Sequence, residues 1–328
     1  MEIFRQKWIG RFIFIWRIKN KMKKAIVSGA NGFVGAAVVK ELVNHGYEVY
    51  ALARESHHDQ VPDNEQVHFI PFSLENIVDL KEHIPSGEYE AFYHFAWNGS
   101  AGTARADTAL QLNNAQWTVE CLKTAKQLGC KRFVPAGSIM EHETVSAAYA
   151  QGNKPGLGYI YGGGKVAAHI MCMSAAAKEG IDLVWPKITN AYGPGERSPR
   201  LVNSTIRKCI AGEEPQFTAG TQHYDFVYID DVARAFRLIG ENGKPFHHYL
   251  IGSSHAKALK EFLLEMQAAI APDLEFKFGD IPFTGIDLPL SAFDCTETEQ
   301  DTGFKAEVSF GEGCRRTMEW WKKEDNEQ

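Results

Sequence analysis

The sequence predicts an α/β protein: a doubly wound parallel sheet covered by helices on both faces, with a small, partly interleaved C-terminal α/β domain. Three observations predict it. Short β-type runs alternate with helical segments over the first part of the 328-residue chain. A glycine cluster stands between the first strand and the first helix. After Asn190 the alternation gives way to turn-rich stretches such as Asn190-Ala191-Tyr192-Gly193-Pro194-Gly195. Strands joined by helices fold as right-handed crossovers and so build a parallel sheet.

In chain order, residues 24–28 (KAIVS) read as a strand and residues 32–46 carry helical periodicity. Strand-like runs follow at 48–53 and 67–72, then a polar helical stretch from Glu75 to His83 and a strand at 90–97. A long helix is predicted from about Thr103 to Leu128, a strand at 131–138, a helix from about Tyr159 to Glu179 and a strand at 181–188. These divisions place a first domain at 22–188, rejoined by about 222–256, and a second at 189–221 and 257–328.

An apolar share of 44% supplies a full core, and a net charge of -6 leaves no basic excess for nucleic acid. The six cysteines form no CxxC pair. They read as buried thiols of a reducing, cytoplasmic compartment, with neither a disulfide framework nor a zinc site. The adjacent pairs His57-His58 and His247-His248 read as surface residues and suggest no metal site. Residues 1–21 are basic and aromatic, broken by Arg11 and Arg17, and unsuited to a signal peptide or a membrane span. Either translation starts at Met22, or the stretch is an amphipathic segment resting on a membrane surface or on the domain.

Gly29-Ala30-Asn31-Gly32-Phe33-Val34-Gly35 follows the first strand and opens the first helix. Glycines there allow a tight turn and close approach of a pyrophosphate, toward which the helix N-terminus points its N–H groups. In that context the cluster predicts a dinucleotide cofactor. The end of the second strand selects the cofactor, since an acid binds ribose hydroxyls and a base accepts a 2′-phosphate. Here Ala53 is followed by Arg54, which favours NADP(H); NAD(H) is the alternative, with Glu55 on the ribose and Arg54 a surface charge.

Tyr161 and Lys165 lie four residues apart, on one face of a helix. A neighbouring ammonium favours phenolate and suits the tyrosine to exchange a proton with a substrate oxygen. The intervening Gly162, Gly163 and Gly164 each cost about 1 kcal/mol in a helix, which suggests close approach of cofactor or substrate to the backbone. Ser138 ends the strand that begins at Lys131, where ligands sit in parallel sheets, and its hydroxyl is placed for the reacting oxygen.

Glycine loop, upstream serine and Tyr-x-x-x-Lys together resemble the extended short-chain dehydrogenase/reductases, the nucleotide-sugar epimerase/dehydratase group. The resemblance runs from Lys23 to Lys322 and includes His94-Phe95-Ala96, Asn113, Asn190 to Gly195, Asp225 to Val232 and Gly313 to Trp321. It implies a Rossmann domain and catalytic Ser138, Tyr161 and Lys165. By the same resemblance Gly29, Asn31, Gly32, Phe33, Val34, Gly35, Arg54, Ala96 and Asn113 join Tyr161 and Lys165 at the cofactor. Trp97, Ser138 and Asn190 would meet a nucleotide-linked sugar, and the family's common dimer pairs the central helix with the Tyr-x-x-x-Lys helix.

Two positions depart from the pattern. Phe72-Ser73-Leu74 replaces an aspartate that approaches the adenine, and Tyr224 replaces an arginine that grips the diphosphate; Arg197 and Arg200 could supply that charge. Ile139 and Met140 follow Ser138 where a 4,6-dehydratase needs an acid–base pair, and Glu141 comes one position late. The preferred reading is reduction of a 4-keto-6-deoxy sugar, because Arg54 suits exchangeable NADPH and Phe95 to Gly99 resembles such reductases. Trp97 could equally be a packing residue. An epimerase holding NAD is the alternative, ahead of a dehydratase or a cofactor-sensing protein without chemistry.

Overall fold

Ala25, Ile26 and Val27 are all fully buried in strand β1 (Lys23–Ser28), as a strand covered on both faces requires. Ala25 and Val27 join one core and Ile26 the other, following the two-residue period of a strand. The computed structural model describes residues 22–327. The basic N-terminal stretch, with its start-site and membrane-surface readings, lies outside the described residues.

Helix α1 (Phe33–Asn44) leads to β2 (Tyr47–Ala53) and β3 (Val67–Pro71). A 3-10 turn and the short α2 (Leu80–His83) precede β4 (Tyr89–His94), α3 (Thr108–Leu128) and β5 (Cys130–Pro135). Next come β6 (Gly137–Ser138), α4 (Met140–Tyr149), α5 (Gly158–Glu179), β7 (Asp182–Leu183) and β8 (Trp185–Ile188). The main sheet has the order β3-β2-β1-β4-β5-β7 and is parallel throughout. The strand order reverses between β1 and β4, the crevice where doubly wound sheets bind ligands. The α/β class, the parallel sheet and the Rossmann order are therefore all present.

Beyond β8 the elements shorten: β9 (Ala191–Tyr192), α6 (Leu201–Ala211), β10 (Gln216–Phe217), β11 (His223–Tyr224) and β12 (Val227–Tyr228). Helix α7 (Ile229–Asn242) returns to pack on α1, while α3 and α5 cover the other face of the sheet. Strand β13 (His248–Ile251) pairs with β8, which also pairs with β6. The C-terminal part adds β14 (Lys257–Ala258), α8 (Leu259–Ile270), β15 (Lys277–Phe278), α9 (Thr296–Thr302) and α10 (Phe310–Glu327). Phe226, Phe262 and Phe310 meet there with ring centroids 5.0–5.1 Å apart. The buried Asp231 carboxylate ties the start of α7 to the Glu307 and Val308 N–H groups, each at 3.0 Å.

The structure corrects several predicted elements. The stretch from Glu75 to His83 is no continuous helix: Leu74–Asp79 is a 3-10 segment with non-helical Asn76 (φ -110°), and only Leu80–His83 is α-helical. The helix predicted from Thr103 begins at Thr108, because Asp107 caps it by accepting from Leu110 N at 3.0 Å. Thr103–Ala106 is a separate 3-10 turn. The run 181–188 splits at Val184 into β7, paired with β5, and β8, paired with β6 and β13. Patterning assigned no element to 140–149, where α4 stands, with Glu141 and Glu143 in its first turn.

Candidate active site

The loop after β1 is shaped by the chain's own packing. Gly29 has φ +71°, and a Cβ there would lie 2.6 Å from the Ala96 nitrogen. At Gly35 an added Cβ would lie 2.1 Å from the Gly29 carbonyl oxygen. Both positions exclude a side chain before any ligand is considered. Gly32 offers no side-chain cap, so the first-turn N–H groups of α1 have no intrahelical partner and face the adjoining cavity.

That cavity, about 550 Å³, is lined by Gly29, Asn31, Gly32, Phe33, Val34 and Gly35, and also by Arg54, Ala96 and Trp97. Ser138, Tyr161, Lys165, Arg197 and Arg200 line it too. A glycine cradle, uncapped helix N–H groups and this volume fit a dinucleotide. Arg54 is exposed at the end of β2, and among the described residues no acid lies within ion-pair distance of it. The Asn31 side chain is already engaged, donating to Asp59 Oδ1 at 3.1 Å and accepting from Gln60 N at 2.6 Å.

The helical phase of α3 corrects the predicted amide. Asn113 is turned to solvent, whereas Asn114 is buried and exchanges two hydrogen bonds with the Asn98 backbone, at 2.9 and 2.7 Å. Gln111, one turn earlier, is the larger omission from the sequence reading. It accepts from Trp97 Nε1 at 2.8 Å and donates to the carbonyls of Gly99 and Ala104 at 3.1 and 3.0 Å. A buried glutamine in a long helix was the available signal, but its phase is visible only once the helix is docked.

Tyr161 and Lys165 both face inward from α5, as their spacing demands, and Ser138 ends β6 beside them. Lys165 Nζ donates to the Ala136 carbonyl at 2.8 Å and sits 3.5 Å from the centre of the Trp97 ring. Burial lowers its pKa to about 7. The ammonium expected beside the phenol is turned toward the Ala136 carbonyl and the Trp97 ring. Burial raises the Tyr161 pKa, and the opposing pull comes from Arg200 and Arg105, then Ser138. Lys165 Nζ is 5.7 Å from the Tyr161 ring centre, while the Arg105 guanidinium is 4.4 Å from it.

The helix glycines also have a different cause from the one predicted. A Cβ on Gly162 would meet Thr144 Oγ1 at 1.9 Å, and one on Gly164 would meet the Gln111 carbonyl oxygen at 2.9 Å. These two glycines admit α4 and α3 against α5. Gly163 has nothing within 4 Å of an added Cβ.

Behind Ser138, Glu141 is fully engaged. Its Oε1 accepts from Ser138 N at 2.9 Å and Trp185 Nε1 at 3.1 Å, and its Oε2 pairs with His169 at 2.8 Å. It braces the strand end and has no free oxygen for acid–base work. His94, at the end of β4, lies between Ser28 and Thr118 and is held neutral, its pKa pushed to about 3 by burial and then by Lys165.

A second cavity of about 290 Å³ adjoins the first through Ala101, Ala191, Glu196 and Arg200. Arg105, Asn190, Asn203, Tyr224 and Phe226 line it. Asn190 Nδ2 is spent on the Asp225 carbonyl at 3.0 Å. Of the arginines expected to replace the missing one at 224, Arg197 pairs with Glu324 at 2.6 Å and Arg200 approaches Glu196 at 3.4 Å. Arg105, which sequence reading passed over, has no such ion pair among the described residues. On the surface, His247, Glu297 and Asp301 lie close enough to share a cation, but Lys244 already bridges Asp301 at 2.6 Å.

A sequence model of the NAD dependent epimerase/dehydratase family matches residues 25–252. The chain belongs to this family. A probable dTDP-glucose 4,6-dehydratase of Sinorhizobium fredii (strain NBRC 101917 / NGR234) is 23% identical over 326 residues, covering 91% of this chain and 92% of its own. Among solved structures, the UDP-N-acetylglucosamine 4-epimerase of Methanobrevibacter ruminantium M1, bound to UDP-N-acetylmuramic acid, superposes with TM-score 0.78 at 20% identity. The match covers 93% of this chain and 100% of that one. The Bordetella bronchiseptica enzyme WbmF in complex with NADH gives TM-score 0.75 at 21% identity and covers 93% of each chain. The chain is thus an extended short-chain dehydrogenase/reductase, an enzyme of the NAD-dependent nucleotide-sugar group. No helix among the described residues is long and apolar enough to cross a membrane.

Proposed function

We propose that this enzyme reduces the keto carbon of a nucleotide-linked 4-keto-6-deoxy sugar, with Tyr161 as proton donor. The observation that carries the proposal is the placement of Ser138, Tyr161 and Lys165 along one cavity that opens into a second, side-chain-lined one. The nicotinamide, when bound, supplies the hydride. Gly29, Gly32, Phe33, Val34 and Gly35 cradle the pyrophosphate, Ala96 and Lys165 flank the nicotinamide half, and Arg54 accepts the 2′-phosphate of NADP(H). Ser138 donates to the substrate oxygen and Tyr161 delivers the proton as charge develops there.

Residues 22–188 and about 222–256 would hold the cofactor, and 189–221 with 257–328 the sugar, with Trp97, Asn190, Arg197 and Arg200 at its border. The engagement of both Glu141 oxygens supports reduction or epimerisation over dehydration. Epimerisation with retained NAD is the second reading, favoured by the NAD-dependent family. A homodimer through α3 and α5 belongs to the proposal, supported by exposed Leu112, Ile170 and Met171 on those helices.

The test is to incubate the protein with NADPH or NADH and a panel of CDP-, dTDP-, GDP- and UDP-linked 4-keto sugars, following nicotinamide absorbance. The parallel arm offers NAD and the non-keto sugars and reads inversion by NMR. Consumption of NADPH confirms the reductase, inversion without net consumption the epimerase. Silence in both arms would sink the nucleotide-sugar reading.

A further inference from the structure

We propose that Arg105 is a positioning residue that tunes the Tyr161 phenol, in addition to the lysine one helical turn away. The guanidinium carbon lies 4.4 Å from the centre of the Tyr161 ring, nearer than Lys165 Nζ at 5.7 Å. Lys165 is directed elsewhere, onto the Ala136 carbonyl and the Trp97 ring. Among the described residues Arg105 has no carboxylate within ion-pair distance, and Glu143 is the acid that acts on it. Arg197, by contrast, is tied to Glu324, and Arg200 approaches Glu196.

The placement is built into the fold. Arg105 sits in the 3-10 turn Thr103–Ala106, and the carbonyl of its neighbour Ala104 accepts from Gln111 Nε2 at 3.0 Å. The same Gln111 side chain holds Trp97, and its backbone abuts Gly164 on the helix that carries Tyr161. One buried glutamine thus connects the turn of Arg105, the ring under Lys165 and the tyrosine helix. A guanidinium over a phenol ring favours phenolate both through its charge and through the ring face.

Other charges complete the surroundings. Tyr161 is influenced by Arg200, Ser138 and Glu141 besides Arg105, and Lys165 is its neighbour on α5. Arg105 in turn is influenced by Arg200, Glu143 and Tyr224. Glu143, on α4, is the group that opposes the arrangement when it ionises; burial raises its pKa to about 7.

Two measurements on the full chain test the proposal. The first needs no substrate: phenolate absorbance is titrated for the wild type and for Arg105→Gln, each minus the same protein carrying Tyr161→Phe. The Tyr161 ionisation should move up by about 1 pH unit in Arg105→Gln, in the range typical for loss of a close opposite charge, and Arg105→Lys should recover part of the shift. The second is the pH profile of keto-sugar reduction, which rests on the proposed function; its alkaline limb, where the phenol loses the proton it donates, should move up by the same amount. An unchanged phenol titration overturns the proposal whatever the enzyme's substrate. So does a rate that falls equally at all pH values, the mark of a purely structural role. A shifted titration without turnover of any nucleotide sugar would leave the tuning standing and remove the proposed function instead.

Discussion

The two cavities meet at Arg200 yet are made in different ways. The cofactor side is largely backbone: glycines at 29, 32 and 35 and the open end of α1, all within one stretch of chain. The second cavity is lined by side chains drawn from the turn at 101–105, from 190–203, from 224–226 and from Thr317. A backbone site is tied to a local conformation and tolerates little change. A side-chain site is assembled from remote segments and can change its ligand by single substitutions without disturbing the sheet.

Tyr161→Phe breaks the comparison most severely, because Tyr161 lines the first cavity with its ring against Arg105 of the second. Hydride transfer should fall by about 10²–10⁴-fold, roughly 3–5 kcal/mol of barrier, with cofactor affinity nearly unchanged. The readout is single-turnover oxidation of NADPH with a keto sugar, beside cofactor titration. A variant keeping more than about a tenth of the rate would show that another group supplies the proton.

Arg54→Asp probes a side-chain determinant on the backbone-built side. It should weaken NADPH by about tenfold or more, roughly 1.4 kcal/mol or greater, and spare NADH. Equal effects on both cofactors in a fluorescence titration would place Arg54 away from the ribose.

The helix glycines sharpen the same comparison at lower energy. Gly162→Ala drives a methyl into Thr144 and should destabilise by about 1–3 kcal/mol. Gly163→Ala meets nothing and should stabilise by up to about 1 kcal/mol, leaving the rate unchanged. Denaturant unfolding of the two variants checks both signs. Destabilisation by Gly163→Ala would point to a constraint other than helix packing.

A pH-dependent effect lies with Glu143, which acts on Arg105 of the second cavity. Its pKa is raised to about 7 in the folded chain by burial, above its ordinary value of 4.5. The folded state therefore holds a proton that the unfolded chain has lost between these values, and stability declines as pH rises from 4.5 to 7. Glu143→Gln removes this cost, so its melting temperature should exceed that of the wild type at pH 8 but not near pH 4.5. Equal melting temperatures at pH 8 would mean that the carboxyl is well solvated or compensated.

The sequence by itself determined what depends on local period and local conformation. Alternating elements implied the parallel sheet, the strand-to-helix glycines implied the cradle, and the four-residue spacing put Tyr161 and Lys165 on one face. It also showed where the family pattern fails, at Phe72-Ser73-Leu74 and Tyr224. Tertiary structure alone decided the rest. The phase of α3 chose Asn114 over Asn113 and made Gln111 a hub, since a shift of one residue rotates a helix face by about 100°. The docking of α4 explained Gly162 and gave both oxygens of Glu141 to Ser138, Trp185 and His169. The turn at 103–106 carried Arg105 over Tyr161 while Lys165 went to Ala136. Spacing along a chain specifies which side chains share a face, but a pairing across segments appears only when packing brings them within a few ångströms.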